Sequence, residues 1–264
     1  MLRSDKKLWQ PDDDGRLWRY MDFTKFVSML DTKALFFSRL DKLEDKYEGT
    51  LSKPTLAWVE RSLGSQPTEQ KAKWSQTLEV YKSFKAHMFV NCWHINEHES
   101  TAMWDLYLKS DEGVAVRSTF KRIKDSLSSC PYSIDASKVR YVDYETELIP
   151  VGGDTSIYYP VVHKRKSYQH ENELRLFCWG YNLSIEDQKV AGLDLAGPIY
   201  PCLLPQLPDR PGVSLGVNLD ALIEEVYVAP SCPGWFLDLV NSVLSKYEVA
   251  REARKSNLDS DPLW

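Results

Sequence analysis

Long apolar runs are missing from this chain of 264 residues. A helix that spans a bilayer needs about 20 predominantly apolar residues in a row, and no such stretch is present. The opening residues, MLRSDKKLWQPDDDG, also lack the apolar centre of a secretory signal peptide. We therefore expect a cytoplasmic protein that does not enter membranes.

Cysteine and histidine are both scarce, with five residues of each type. The cysteines are far apart and form no CxxC pair, so zinc ribbons and dithiol redox motifs are excluded and free thiols are predicted. The histidines form no HExxH motif. His94 and His98 have the spacing of neighbours on a helix, but WHINEHES is typical of a strand end followed by a helix cap. We predict no metal site.

Glycine and surplus positive charge are also in short supply. The 12 glycines include one adjacent pair, in VGGDT. Neither GxGxxG nor GxxxxGK[ST] occurs, so neither a dinucleotide-binding Rossmann unit nor a P-loop is supported. The net charge of −5 argues against general electrostatic binding to nucleic acid or to anionic membranes.

Apolar residues, in contrast, make up 43% of the chain and aromatic residues 12%, which is enough for a folded core. Strand-like and helix-like segments alternate without the regular rhythm of βαβ units. We therefore predict an α+β fold with a mixed or mostly antiparallel central sheet and flanking helices. A basic helix is predicted at about residues 158–169. Seven segments are predicted as strands, most of them in one sheet: residues 17–20, 34–39, 87–93, 112–117, 138–144, 172–179 and 224–228.

The region that contains the predicted strands and helices, residues 17–247, is interpreted as one α+β domain. Residues 1–16 precede the first predicted strand and are interpreted as an N-terminal extension. Residues 248–264 are interpreted as a C-terminal tail that frays, because chain ends without a docking surface are poorly ordered.

The segment ESTAMWDLYL has its large side chains at helical spacing. Met103, Trp104 and Tyr107 stand at positions i, i+1 and i+4, which lie on one side of a helix. We expect this side to pack inward, with Trp104 largely buried.

Two glutamates stand out in HKRKSYQHENELRLFCW, residues 163–179. Polar and apolar residues nearly alternate from Glu171 onward, so a strand would place Glu171, Glu173 and Arg175 on one face and the leucines on the other. Carboxylates two residues apart on one face are about 7 Å apart, a spacing that suits two contacts on one substrate. The alternative is a solvated face on which Arg175 and the preceding basic run neutralise the acids.

The ordered set of local patterns resembles the bacterial family labelled domain of unknown function 2971, over about residues 17–247. That family commonly has Asn-Asp-Pro in its early loop, where this chain has Glu44-Asp45-Lys46, so a ligand contact from this loop is not implied. The motifs that carry the resemblance are Phe37-Ser38, Asp45 with Glu48, Cys92-Trp93, Met103-Trp104 with Tyr107, Gly113, and Glu171-Glu173-Arg175.

A second resemblance is to the layout of ADP-ribosyltransferases. Arg19 on the first strand, a helix, the strand ALFFSRL and a glutamate on a late strand follow one another as in that superfamily. The resemblance implies that Arg19 holds NAD and that the late glutamate contacts the nicotinamide ribose. The pair Glu171-Asn172-Glu173 is similar to the ExE pair of members that modify arginine-like acceptors.

The chemistry implied by this resemblance suits the residue types. A carboxylate beside the ribose would stabilise the positive charge that forms as the bond to nicotinamide breaks, and a second carboxylate would take a proton from the nucleophile. An arginine fork matches phosphate oxygens. Glu173→Gln is then expected to leave the fold intact and to abolish turnover. The implied residues are Glu173 and Glu171 for catalysis and Arg19, Tyr20, Ser38, Trp104 and Tyr107 for binding NAD.

Three of these assignments have alternatives. Arg19 would equally pair with a carboxylate across the sheet, and Trp104 would serve as an ordinary core aromatic residue. Ser118, in VRST, competes with Ser38 for the polar position in the pocket. Phe37 is a further aromatic residue that could stack on nicotinamide or adenine.

The leading functional expectation is NAD-dependent ADP-ribose transfer or NAD hydrolysis, with NAD as cosubstrate and a toxin or antiphage role. A non-catalytic module that binds a ligand or a partner protein is the first alternative, and a nuclease built from Asp45, Glu48 and Glu171 is the second. The expected partner is a nucleotide-like small molecule. A protein and a nucleic acid both stay open as the acceptor, and the oligomeric state is also open. Arg19 and Glu173 must face one open cleft if the transferase interpretation is correct.

Overall fold

The computed structural model describes residues 8–64, 84–107, 111–150, 156–180, 211–260 and 262. The strands are β1 Arg16–Asp22, β2 Ala34–Arg39, β3 Met88–Ile95, β4 Gly113–Thr119, β5 Asp135–Lys138, β6 Arg140–Val142, β7 His163–Arg165, β8 Glu173–Trp179, β9 Gly212–Gly216, β10 Glu225–Val228 and β11 Ala253–Lys255. The helices are α1 Phe23–Thr32, α2 Lys53–Gly64, α3 Thr101–Tyr107, α4 Phe120–Ser126, α5 Leu219–Leu222 and α6 Gly234–Lys246. Short 3₁₀ segments cover Leu40–Lys42, Lys85–His87, Ser156–Val161 and Lys166–Glu171.

Nine of the described strands form one sheet in which neighbours are mostly antiparallel. The path β11-β10-β4-β1-β3-β2-β9 is extended by β8, which pairs with β3, and by β5, which pairs with β8. β10 and β11 run parallel, with Val226 opposite Ala253. The predicted α+β class with a mostly antiparallel central sheet is confirmed.

The sheet forks at β3. β8 pairs with β3 along one edge, from Met88 to His94. On the opposite edge, β2 pairs with Phe89 and Val90, whereas β1 pairs with His94 and Ile95. β1 and β2 therefore diverge from the same edge of β3, and residues 91–93 between them have no strand partner on that edge.

Both faces of β8 are covered, so all seven of its residues are buried. Leu174 and Leu176 belong to the main core, together with Phe26 of α1 and Phe236 of α6. Phe177 on the other face belongs to a second apolar cluster. The face that carries Glu173 and Arg175 is therefore not a solvated surface, so that part of the alternative considered above is wrong. Its other part is correct, because Arg175 and Lys164 of the preceding basic run do pair with the acids.

The basic segment before β8 is not a helix, contrary to the prediction for residues 158–169. Pro160 lies within the 3₁₀ segment Ser156–Val161, and a proline has no N–H to continue a helical ladder. His163–Arg165 then forms β7, which pairs with β6 in a separate two-stranded sheet. This pairing satisfies backbone groups that a helix would have satisfied internally.

Glu171 does not belong to the strand. It ends the 3₁₀ segment Lys166–Glu171, and Asn172 has a positive φ of 37°, a conformation that asparagine tolerates better than most residues. The extended strand therefore starts at Glu173. The predicted strand 138–144 is likewise split, because β5 pairs with β8 while β6 pairs with β7.

The C-terminal tail does not fray over residues 253–255, because β11 docks in parallel on β10. Asn241 of α6 holds this strand with both atoms of its amide, accepting from the backbone N–H of Ala253 at 2.7 Å and donating to its carbonyl oxygen. Within the described ranges, no helix is long and apolar enough to cross a membrane.

Candidate functional site

The fork of the sheet opens into a cavity of about 460 Å³. Its walls come from β1, β2, β3, α1, α3 and the segment around the start of β8. Six of the seven predicted site residues line it, namely Arg19, Tyr20, Ser38, Tyr107, Glu171 and Glu173. The structure therefore brings together residues from both halves of the sequence, although it does not test their roles.

Trp104 is the predicted site residue that the cavity does not include. Its side chain is 1% exposed and lies edge-on to the ring of Tyr20, with the ring centroids 4.9 Å apart. The indole N–H donates to Glu99. Trp104 is thus a core residue, because the apolar side of α3 packs on β1. Phe37 is fully buried in the same core, so neither ring can stack on a ligand.

Tyr107 has the opposite environment. The prediction that it packs inward is wrong, since 40% of the residue is exposed while its side chain lines the cavity. Phe36, on strand β2, is 42% exposed and lines the same cavity as Tyr107. Ser118 donates to the carbonyl oxygen of Leu222 at 2.6 Å and is buried, so of the two serines it is Ser38 that lines the cavity.

Arg19 places its guanidinium at the unpaired stretch of β3. Its Nη1 donates to the carbonyl oxygen of Cys92 at 2.7 Å, and its Cζ lies 6.0 Å from the centre of the Trp93 ring. Burial lowers the pKa of Arg19 below its ordinary value. Among the described residues no carboxylate pairs with Arg19, so pairing across the sheet, the alternative considered for this residue, is not observed.

Behind the cavity lies a group of five charged side chains, here called the buried ion cluster: Glu48, Lys164, Glu171, Glu173 and Arg175. Arg175 is fully buried and donates to both Glu173 and Glu48. Its Nη1 also donates to the carbonyl oxygen of Val161 at 2.6 Å. Every direction in which the guanidinium can donate is therefore occupied.

Both carboxylate oxygens of Glu173 already accept hydrogen bonds from a neighbouring side chain. Its Oε1 accepts from Arg175 Nε at 2.7 Å, and its Oε2 accepts from Arg175 Nη2 at 3.0 Å. Lys164 Nζ lies 3.6 Å from Oε2, and the thiol of Cys92 donates to the same carboxylate. Burial alone would raise the pKa of Glu173, but the charges of Arg175 and Lys164 outweigh burial and hold the pKa below its ordinary value.

Within the described ranges, the cation in contact with Glu171 is Lys164, whose Nζ lies 2.7 Å from Glu171 Oε2. Burial raises the pKa of Glu171 above its ordinary value, although Lys164 acts against this shift. Of the two glutamates, Glu171 is therefore the one whose pKa is raised. Glu171 is consequently the carboxylate of this pair that is better suited to exchange a proton near neutral pH.

Two cavity residues were missed by sequence reasoning. Cys92 connects Arg19, through its carbonyl oxygen, with Glu173, through its thiol, and burial raises the pKa of that thiol. His94 contacts the carbonyl oxygen of Glu171 through Nδ1 at 2.6 Å, and burial lowers its pKa. The Cys92-Trp93 motif was a sequence signal that could have pointed to Cys92. His94 follows this motif directly but belongs to no motif itself.

The carboxylates proposed for a nuclease are each taken by a basic side chain. Asp45 accepts twice from Arg165, at 2.7 and 3.1 Å, and Glu48 and Glu171 belong to the buried ion cluster. No group of three histidine, cysteine or acidic side chains in the described part of the chain is arranged to hold a metal ion.

The fold should lose stability in acid because of Glu173. A group with a lowered pKa in the folded state stabilises the fold above its ordinary pKa, and this contribution is lost as the pH falls toward the folded value. For Glu173 the loss begins near the ordinary value of 4.5, and each unit of lowering corresponds to about 1.4 kcal/mol. The raised pKa of Glu171 acts mainly above 4.5, where it makes stability fall as the pH rises, so below 4.5 the change comes mainly from Glu173.

Urea denaturation in buffers from pH 4.5 downward measures this dependence. Glu173→Gln is the control, because it removes the titrating group and should flatten the slope. An equal slope in the two proteins would contradict the assignment to Glu173.

The arrangement defines an α+β protein with a forked sheet, a buried ion cluster, and an arginine in the fork that has no carboxylate partner in the described part of the chain. No protein-family model matches the chain, and no curated protein matches it, so the resemblance to the family labelled domain of unknown function 2971 stays a prediction. Among solved structures, the chain is similar to one described as Thermus sp. 2.9 DarT in complex with carba-NAD⁺, with 10% identity and a TM-score of 0.34 over 93% of this chain and 96% of that one. A TM-score this low does not establish a shared fold.

Proposed function

We propose that the chain binds NAD at the fork of its sheet and transfers the ADP-ribose group to an acceptor or to water. The observation that carries this proposal is Arg19, a cation that lines the cavity and has no carboxylate partner among the described residues. Burying a cation is costly unless an opposite charge accompanies it. A ligand phosphate would supply that charge, and the guanidinium fork matches its oxygens.

The position of the carboxylates supports the same ligand. Arg19 and Glu173 both contact Cys92, one at its carbonyl oxygen and the other at its thiol, and Glu171 lines the same cavity. The anion-binding group and the two carboxylates are therefore within the reach of one dinucleotide. Tyr107 and Phe36 are partly exposed aromatic residues at the cavity, and each offers a face for a planar ring.

The residues suggest a division of labour in the reaction. As the bond from ribose C1′ to nicotinamide breaks, its electron pair leaves with nicotinamide, and positive charge builds on the ribose. Glu173, which stays ionised, stabilises this charge. The O–H of the acceptor then attacks C1′, and Glu171, whose pKa is raised, takes the proton. No metal ion takes part in this scheme.

Calorimetry with NAD and an assay for released nicotinamide, with cell extract as the source of acceptor, test the proposal. We expect NAD to bind and Arg19→Met to weaken binding by about 10- to 100-fold, the value of a charged hydrogen bond. Arg16→Met is the matched control, because Arg16 lies on the same strand but pairs with the exposed Glu97 away from the cavity. Equal NAD affinity of Arg19→Met and wild type would contradict the role of Arg19.

A non-catalytic binding module is the second candidate, and the saturation of Glu173 favours it. A carboxylate whose two oxygens already accept from Arg175 holds a structure together without having to meet a substrate. NAD binding without nicotinamide release would support this candidate, whereas absence of NAD binding would contradict the proposed ligand altogether. The toxin or antiphage role belongs to the catalytic proposal and is tested by the growth of bacteria that express the chain.

A further inference from the structure

Lys164 is the cation that, among the residues the structure describes, contacts three carboxylates of the buried ion cluster. Its Nζ lies 2.7 Å from Glu171, 3.1 Å from Glu48 and 3.6 Å from Glu173. The contact with Glu171 is a hydrogen bond, whereas Glu173, at 3.6 Å, lies beyond hydrogen-bond distance and attracts the ammonium group by charge alone. The face of the Tyr168 ring lies 4.7 Å from Nζ and covers the remaining side.

Lys164 cannot be replaced by the other cation of the cluster. The donors of Arg175 are occupied by Glu173, Glu48 and the carbonyl oxygen of Val161, and none of them reaches Glu171. Among the described residues Lys164 is therefore the cation in contact with Glu171. The two are seven positions apart in the chain, on β7 and at the end of the following 3₁₀ segment.

The other groups that face Glu171 come from four elements. From β6, the phenol of Tyr141 interacts electrostatically with Glu171, and burial raises the pKa of that phenol. From β8, Glu173 raises the proton affinity of Glu171 and Arg175 lowers it, both by their charge. From α3, Tyr107 lines the same cavity and its phenol interacts electrostatically with Glu171. Although 40% of the residue is exposed, its phenol group is partly buried, and this burial raises the pKa of the phenol. From β3, His94 contacts the carbonyl oxygen of Glu171. None of the other cations or donors substitutes for the direct contact from Lys164.

From this geometry we infer that Lys164 is a positioning residue, which holds the carboxylate of Glu171 at the cavity and keeps it ionised so that it can accept a proton. This inference rests on the proposed function, because it gives Lys164 its role through Glu171. A buried carboxylate without a counter-charge binds its proton more tightly. Without Lys164, the pKa of Glu171 would be higher, so a larger fraction of Glu171 would be protonated at a given pH and unable to act as a base.

A carbon-13 NMR titration of the glutamate carboxyl groups tests the inference without any turnover. The signal of Glu171 is assigned by its loss in Glu171→Gln. In Lys164→Met the pKa of Glu171 is expected to rise by about 1 to 3 units, the effect of one adjacent opposite charge. In Lys164→Arg, which keeps the charge, most of this shift should be absent. Lys166→Met is the matched control, because Lys166 is exposed, pairs with Glu147 and leaves Glu171 untouched.

An unchanged pKa of Glu171 in Lys164→Met overturns the inference. Should Lys164→Met not fold, Lys164→Gln keeps an N–H donor, removes the charge and is expected to show the same rise. In the wild type, the nitrogen-15 signal of the Lys164 ammonium group should change over the pH range in which Glu171 titrates, and a constant signal also overturns the inference.

Nicotinamide release adds a readout that depends on the proposed function. The rate of release by the wild type should fall as the pH drops through the pKa of Glu171. This acidic limb of the pH–rate profile should lie at higher pH in Lys164→Met and close to its wild-type position in Lys164→Arg. A shifted pKa by NMR with no release by any variant would contradict the catalytic proposal while leaving the contact between Lys164 and Glu171 supported. Release with a limb that does not move in Lys164→Met would contradict the role of Lys164 alone.

Discussion

Replacing Arg175 by methionine is expected to lower the free energy of unfolding by about 3–5 kcal/mol, the cost of removing one partner from a buried ion pair. The substitution leaves Glu48 and Glu173 buried, with Lys164 as the cation that remains in contact with both. It also leaves the carbonyl oxygen of Val161 without its donor. Urea denaturation followed by circular dichroism measures the change.

Arg254→Met provides the comparison for this experiment. Arg254 also pairs with a glutamate, Glu225, but its side chain is 61% exposed, and exposed pairs contribute about 0–1 kcal/mol. A loss of less than about 1 kcal/mol in Arg175→Met would show that the buried ion cluster does not hold the fold. The burial of these charges would then require another explanation.

The second large effect is expected on activity. Glu171→Gln removes the proposed base and should slow the transfer of ADP-ribose to an acceptor, followed as nicotinamide release, by about 100- to 10,000-fold, the range of general base catalysis. The side chain keeps its shape, and Lys164 keeps Glu48 and Glu173 as partners, so the fold should be retained. Release is measured together with thermal unfolding, so that loss of the reaction is separated from loss of the protein.

Glu173→Gln is the matched variant, and its expected behaviour differs from the expectation based on sequence. Because both oxygens of Glu173 accept from Arg175, the neutral amide disturbs a buried pair and should lower stability as well as turnover. Equal turnover of Glu171→Gln and wild type would remove Glu171 from the chemistry. A fully stable Glu173→Gln would instead show that Arg175 is held by Glu48 alone.

Local patterns predicted much of the sheet correctly. The segments around β1, β2, β3, β4, β8 and β10 have the alternation or the bulky apolar content that strands require, and Asp22 accepts from the N–H of Lys25 as a helix cap should. The errors occurred where a tertiary partner decided the outcome. Lys164 and its neighbours have no period of their own, and they became β7 because β6 lies beside them.

The candidate site was predicted in part for the same reason. Arg19, Glu171 and Glu173 stand in short motifs that the sequence displays, and these three line one cavity. Trp104 stands in such a motif too, but its side chain turned to the core. A motif specifies the order of the residue types. The direction of each side chain depends instead on which face of its helix or strand packs against the rest of the protein.

The sequence by itself determined the residue types, the alternation that places Glu173 and Arg175 on one face, and the α+β class, because these depend on neighbours along the chain. Only the tertiary structure decided that this face is buried, since a second apolar cluster covers it. It also decided that Glu48 meets Arg175 across 127 positions. Contacts over such separations depend on how the sheet forks and packs, and no local pattern encodes them.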